Sequence, residues 1–229
     1  MKVTLLTNTP EPEKTVVLAA KLCYSPSSVS ELEEKVKGLN YEKFLTKILD
    51  MGHLSVLEHS SFTFGVDGIS RATSHQLVRH RLASYSQQSQ RYVSFDKNNE
   101  YVIPPSIEEN AGAKARFTSM VDEIYALYGD LLNEGVAAED ARFLLPNAAC
   151  TKIIITMNAR ELIHFFRVRC CERAQWEIRD MATRMLKLAQ EKAPIIFSKS
   201  GPACVKNACS EGSMTCGKPG EIREKFLKL

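Results

Sequence analysis

Between Tyr41 and Met51 the residues Phe44, Leu45, Ile48 and Met51 recur at i, i+1, i+4 and i+7, the spacing of one helical face. Soon afterwards the period changes. Over residues 61–67, Phe62, Phe64 and Val66 alternate with Ser61, Thr63 and Gly65, which predicts a half-buried strand. Helical spacing also covers 13–23, 30–38 and 69–82, and the first residues, "MKVTLLTNTPEPEK", read as an edge strand followed by a turn. Residues 92–95 and 101–103 suggest a hairpin around "DKNNE", stopped by Pro104 and Pro105. A long amphipathic helix is expected over 113–133, stopping at Gly135, then a shorter one in "AAEDARFLLPNA", broken at Pro146. "TKIIITM" reads as a buried strand or as the start of a helix, which periodicity alone does not separate. "NARELIHFFRVRC" and "AQWEIRDMATRMLKLAQEKA" then form two helices. Helices with a few strands and no repeated βαβ unit predict an α+β fold, with long helices on a small, mostly antiparallel sheet.

Composition narrows the class. The chain has 229 residues and 44% hydrophobic content, enough to bury a sizeable core without disulfide or metal staples. No Pro/Gly/Ser-rich linker divides it, so residues 1–229 are expected to form one domain, with a Cys-containing tail over 200–229. Thirty basic residues against 27 acidic ones give a net charge of only +3, a small excess for a general nucleic-acid binder. No signal peptide and no apolar run of membrane-spanning length are visible. Seven cysteines, two of them adjacent at Cys170–Cys171, suit a reducing compartment. A cytoplasmic protein is expected.

Against this near-neutral background the charge in residues 79–92, "RHRLASYSQQSQRY", is local. Three arginines, a histidine, three serines and three glutamines fall in fourteen residues. On a helix Gln76, Arg79 and His80 would share a face, and on an extended segment Ser89 and Arg91 would. A hydroxyl beside a guanidinium fork makes a clamp for phosphate or carboxylate.

A second constellation is "TMNARELIHFFRVRCC". Asn158 and Glu161 have the spacing of a capping box. Leu162, Phe165 and Phe166 form an apolar stripe that ends at Arg169, and Arg160, His164 and Arg167 form a polar row beside it, as in the wall of an anionic-ligand pocket. "MGHLSVLEHSSFTF" carries His53, Ser55, Glu58 and His59, but its histidines are six apart, which does not fit a helical zinc pair. "GSMTCGK" (212–218) begins like a phosphate-binding loop, yet Pro219 stands where Ser or Thr is needed. Cys204, Cys209 and Cys216, with Cys171 as a fourth, could ligate zinc. Their spacings exceed the usual C-x2-4-C pair, so reduced thiols and no metal are expected.

The residues 79–92, an Arg-His-Arg and then a Ser after seven intervening residues, resemble the signature of the flavin-dependent thymidylate synthases. "GHLSVLEHSSFTF", "ARFLLPNA" and "NARELIHFFRVRCCERAQWEIR" resemble that family's other blocks in the same order. The resemblance implies an enzyme that makes thymidylate (dTMP) from deoxyuridylate (dUMP). Its one-carbon donor would be methylenetetrahydrofolate, and its hydride source FAD reduced by NADPH. The family is a homotetramer with active sites shared between subunits, and it does not use a Rossmann fold for FAD. Its flavin contacts fall on Ser55, Arg79, His80, Arg81, Gln87, Asn158, Arg160 and His164, with His53 nearby. Its nucleotide contacts fall on Gln76, Arg79, Gln87, Ser89, Arg91, Arg142 and Arg169. Arg169 would stabilise negative charge developing at N3 of uracil and its neighbouring carbonyl, and is the residue expected to be catalytic. Ser89 has no obvious base beside it and is assigned to holding the nucleotide. The family often has Asn-Glu where this chain has Ser86–Gln87, His at Arg173, and Asn at His164.

Two alternatives stand beside this resemblance. A nucleic-acid-binding module using Arg79–Arg91 predicts salt-sensitive binding. A metal-thiolate redox protein centred on the tail predicts bound metal and no flavin.

Overall fold

The computed structural model describes residues 1–95 and 100–229. In chain order the elements are β1 (Lys2–Asn8), α1 (Pro12–Leu22), α2 (Val29–Val36), α3 (Glu42–Asp50), β2 (Ser61–Ser70), α4 (Arg71–Leu77) and β3 (Ala83–Gln87). There follow α5 (Pro105–Glu108), α6 (Ala111–Asn133), α7 (Ala138–Ala141), β4 (Cys150–Asn158), α8 (Ala159–Arg169) and α9 (Trp176–Lys192). The tail adds α10 (Pro194–Phe197), α11 (Ala203–Lys206) and α12 (Pro219–Leu227). The four strands form one sheet in the order β1-β2-β4-β3, which makes the fold α+β and puts the first strand at an edge as expected. Thr9 N–H donates to Ser61 O and Ala159 N–H to Ser60 O, so β1 and β4 both run antiparallel to β2.

Local chemistry sets the element boundaries. "TKIIITM" is strand: Thr151, Ile153, Ile155 and Met157 are buried while Lys152 and Ile154 face out. The long helix α6 starts where Asn110 accepts the N–H of Ala113 at 3.0 Å, and it stops before Gly135, whose φ of +89° suits glycine. The helix expected over 69–82 is much shorter. Ile69 and Ser70 stay in β2, because the Ser70 hydroxyl caps α4 by accepting the N–H of Thr73. At the other end Tyr85 Oη donates to Leu77 O at 2.9 Å, satisfying a terminal carbonyl and turning the chain. Arg79 and His80 therefore lie beyond the helix and share no helical face with Gln76.

Residues 89–92 are a turn rather than an extended segment, with Val93 N–H bonded to Ser89 O. Of the expected hairpin, residues 96–99 lie outside the described residues. Tyr101 pairs antiparallel with Ala149, and 92–95 are not strand. The expected helix before Pro146 is one turn, α7, followed by a 3₁₀ turn over Arg142–Leu144.

The chain divides into two compact units. One comprises 1–2, 66–79 and 85–154. Its core gathers Phe95, Val121, Tyr125, Tyr128, Ala141 and Ala149. The other comprises 3–65, 80–84 and 155–229. Its core holds an aromatic string: Phe165 meets Phe166 with ring centroids 5.8 Å apart, Phe166 meets Phe197 at 5.9 Å, and Phe197 meets Phe62 at 5.4 Å. There the buried Glu13 carboxylate accepts the N–H groups of Ile195 and Ile196, at the N-terminus of α10.

Candidate active site

In the second unit, α8 carries the densest polar arrangement. Asn158 caps it by accepting the N–H of Glu161 at 2.9 Å. The reciprocal half of the expected capping box does not form. Glu161 shares the inward face with Leu162 and Phe165, and its Oε1 lies 3.3 Å from His80 Nδ1. Glu161 and His80 are each only 7% exposed. Arg169, the last residue of α8, donates from Nε to His80 Nε2 at 3.0 Å.

These contacts fix the histidine tautomer. A guanidinium only donates, so Nε2 must be the acceptor; the ring proton then sits on Nδ1 and is donated to Glu161. Burial lowers His80 to about 4, with the Arg169 and His164 charges adding to the effect. The imidazole is therefore neutral at physiological pH, and the pair is a hydrogen bond rather than an ion pair. Burial raises the Glu161 carboxyl, offset in part by His164. The ring of Phe165 packs edge-on against His80 at 4.9 Å. The result is a chain, Glu161 to His80 to Arg169, that reaches the guanidinium at Nε.

Ligand atoms of His80, Glu161 and His164 also lie within 4.8 Å of one another, a spacing that could suit a metal. Both His80 nitrogens are committed, one of them to a cation, which favours the hydrogen-bonded chain.

The other flavin-side residues of this unit are on its surface. His53, Ser55, Arg81, Arg160 and His164 are exposed, and Arg160 forms an ion pair with Glu58. Arg81 holds no partner among the described residues. A cavity of about 260 Å³ in the same unit is lined by Gly52, Leu54, Ile163, Arg167, Lys199 and Lys206, among others. His53 and Ser55 neighbour its lining without belonging to it.

The first unit holds most of the residues expected to bind nucleotide: Gln76, Arg79, Gln87, Ser89, Arg91 and Arg142. Gln87 Nε2 donates to Ser74 Oγ at 3.0 Å and to Thr151 Oγ1 at 3.1 Å. Ser74 spends its own proton on Arg71 O, so it must accept from position 87, and an amide fits there where a carboxylate would not. Gln87 thus keeps its carbonyl oxygen for other partners. The Ser89 hydroxyl accepts the N–H of Arg91.

Arg91 grips one oxygen of Glu139 from both Nε, at 2.9 Å, and Nη2, at 2.8 Å. Arg142 donates from Nε to the backbone carbonyl of the same Glu139 at 3.0 Å. Arg142 also stands close to Arg71, where burial first and then the Arg142 charge lower the Arg71 guanidinium. Two expected arginines therefore converge on Glu139, and a third, Arg71, stands beside Arg142. Arg79 has no side-chain partner among the described residues and is exposed.

Sequence reasoning missed Glu161 as a partner of His80, Arg71, Glu139, and the Ser74–Thr151 seat of Gln87. Only Glu161 carried a signal, lying four residues before Phe165 on the apolar stripe.

Comparison with known proteins first places the architecture. The fold matches that of a UMP/dUMP methylase, PolB, from Streptomyces cacaoi, solved with 5-Br dUMP, at a TM-score of 0.75 and 23% identity, over 86% of this chain and 92% of that one. The family model described as thymidylate synthase complementing protein (Thy1) matches residues 4–195, and the chain belongs to that family. Flavin-dependent thymidylate synthases are among its relatives. That of Geobacter sulfurreducens is 55% identical over all of this chain and 99% of its own length. That of Clostridium tetani is 47% identical over 99% and 97%, and that of Pyrococcus furiosus 46% over 100% and 98%.

Proposed function

We propose that the protein is an FAD-dependent thymidylate synthase, a methyltransferase that reductively methylates dUMP to dTMP with methylenetetrahydrofolate as carbon donor. The observation that carries this is the family match over residues 4–195, which spans every residue assigned to the site. FAD supplies the hydride and NADPH restores it. The nucleic-acid-binding alternative finds no support in the family or in the relatives named above.

The residues fit the ligands' charge. Arg71, Arg91 and Arg142, with the Ser89 hydroxyl, offer forked donors to the nucleotide phosphate, which would displace the Glu139 carboxylate from Arg91. Gln76, Arg79 and Gln87 complete the nucleotide-side set. Arg79, His80, Arg81, Asn158, Arg160 and His164 carry the donors suited to a dianionic pyrophosphate and a polar flavin edge, with Ser55, Gln87 and His53 beside them. Arg169 is the catalytic residue: oriented through Nε by His80, its guanidinium would stabilise the charge that develops at the uracil carbonyl. His80 and Glu161 act as positioning residues.

The synthase is one domain over 1–229 and works as a homotetramer with shared active sites. Leu82, Tyr92 and Phe143, respectively 75%, 81% and 84% exposed, are apolar surface beside site residues that a neighbouring subunit would cover. Its place is the cytoplasm, in keeping with seven free cysteines, and among the described residues no helix is long and apolar enough to cross a membrane.

The test is the visible absorption spectrum of the purified protein, before and after addition of dUMP. A flavin spectrum perturbed by the nucleotide is expected. A colourless protein that takes up no added FAD overturns the assignment.

A further inference from the structure

The tail holds a feature that the synthase chemistry does not use. Helices α11 and α12 are firmly docked in the second unit. Ile222 and Phe226 are buried, and Arg223 donates from Nε to Cys204 O at 2.7 Å and from Nη2 to Asn207 O at 3.1 Å. Gly201, at φ +139°, lies so close to Phe226 that an added Cβ would come within 2.8 Å of its ring.

Between these helices the chain from 207 to 218 has one 3₁₀ turn, at Gly212–Met214, and little else. All its side chains are exposed except two, Cys209 and Cys216. Both line one small cavity, together with Cys204 from α11 and Cys171 from the turn after α8. The cavity measures about 10 Å³, room for one water-sized body and too little for an iron–sulfur cluster.

An exposed loop with no apolar residue turned inward has nothing to fix its conformation. Here the two thiols are the loop's only side chains withdrawn from full exposure, and they line the same cavity as two cysteines from elsewhere in the chain, beside Ser210 and Glu211. The remaining cysteines, Cys23, Cys150 and Cys170, do not line the cavity. Burial pushes Cys171 up, with the Glu211 charge and then the thiols at 216 and 209 adding to it, and burial likewise raises Cys204.

We propose that Cys171, Cys204, Cys209 and Cys216 form a structural zinc site that fastens the 207–218 loop to the body of the second unit. Four sulfur ligands with no open position are the set of a closed, structural Zn²⁺ site. On binding, one Zn²⁺ displaces four thiol protons and four Zn–S bonds form, leaving a tetrathiolate of net charge −2 with no change of oxidation state. The arrangement offers no place for a reacting water, so the site is distinct from the chemistry around Arg169.

Metal analysis of the full-length protein tests this, read independently of turnover. About one zinc per chain is expected. It should fall to none in Cys209→Ser/Cys216→Ser, while Cys23→Ser and Cys150→Ser keep it. Both serines of the double variant lie in the loop, so the body remains folded and measurable by its flavin spectrum. Replacing zinc with Co²⁺ should give the visible bands of a tetrahedral thiolate site in the wild type and not in the double variant. Zinc retained in the double variant, or no metal and no cobalt spectrum in the wild type, overturns the proposal. So does a non-reducing thiol count and mass showing these four cysteines as disulfides.

Discussion

The two units use arginine in opposite ways. Arg91 in the first is about half exposed and is held by a carboxylate, Glu139, that is equally exposed. Such a pair contributes about 0–1 kcal/mol, so an incoming phosphate can take the carboxylate's place at little cost. Arg169 in the second is held by a neutral, buried histidine that is itself oriented by a buried carboxyl. Nothing there is free to exchange, because releasing His80 would leave buried polar atoms unpaired. The first arrangement suits capture of a ligand, the second a fixed donor aimed at a reacting atom.

Removing the fixed donor should have the largest effect. Arg169→Ala is expected to lower kcat by about 10²–10³, measured in steady-state assays, and to cost about 1–3 kcal/mol of stability because the buried Nε2 of His80 loses this donor. Arg169→Lys should recover only part, since an ammonium lacks the second set of fork nitrogens. If instead Arg91→Ala costs more in kcat than Arg169→Ala, the contrast between capture and fixed donor fails.

The pH dependence of stability comes next. An unfolded histidine takes up its proton near 6.5, whereas His80 waits until about 4. Between these values the unfolded state binds more protons, so stability falls with decreasing pH by about 1.4 kcal/mol per pH unit from this group. The raised Glu161 works the other way, taking up a proton earlier in the folded state and partly offsetting the loss. Urea unfolding from pH 8 to 4 should show the steeper fall in the wild type than in His80→Gln; equal slopes would remove His80 as the buried neutral group.

Glu161→Ala is expected to cost about 2 kcal/mol of stability by orphaning the Nδ1–H of His80. It should lower kcat while leaving KM for dUMP nearly unchanged, and Glu161→Gln should largely restore both. Gln87→Glu sharpens the picture in the first unit. Placing a carboxylate against Ser74 Oγ should cost about 1 kcal/mol in denaturant unfolding, because that hydroxyl already donates elsewhere. Smallest of all, Glu139→Ala should change stability by less than about 1 kcal/mol and lower KM for dUMP by freeing Arg91.

Much of this was written in the sequence. The periods at 41–51 and 61–67, the cap at Asn158, the stop at Gly135 and the density of donors in 79–92 depend only on neighbours in the chain. Local rules reached their limit where a distant residue intervened. The helix expected over 69–82 ended at Leu77 because Tyr85 bonds its carbonyl, and the capping box stayed half-formed because His80 claims Glu161. Periodicity left "TKIIITM" open because a short apolar run suits a strand or a helix, and only pairing between β2 and β3 made it a strand.

The sequence by itself determined which residue types were present in quantity enough for an anionic-ligand enzyme, and the motifs that place the chain in its family. Tertiary structure decided their pairing, Arg169 with His80 and Arg91 and Arg142 with Glu139, and it brought Cys171 to the cavity that the three cysteines of the tail also line. The physical reason is that hydrogen bonds and metal ligation act over about 3 Å in space regardless of chain separation, and a pattern of neighbours carries no record of which distant side chain folding will bring there.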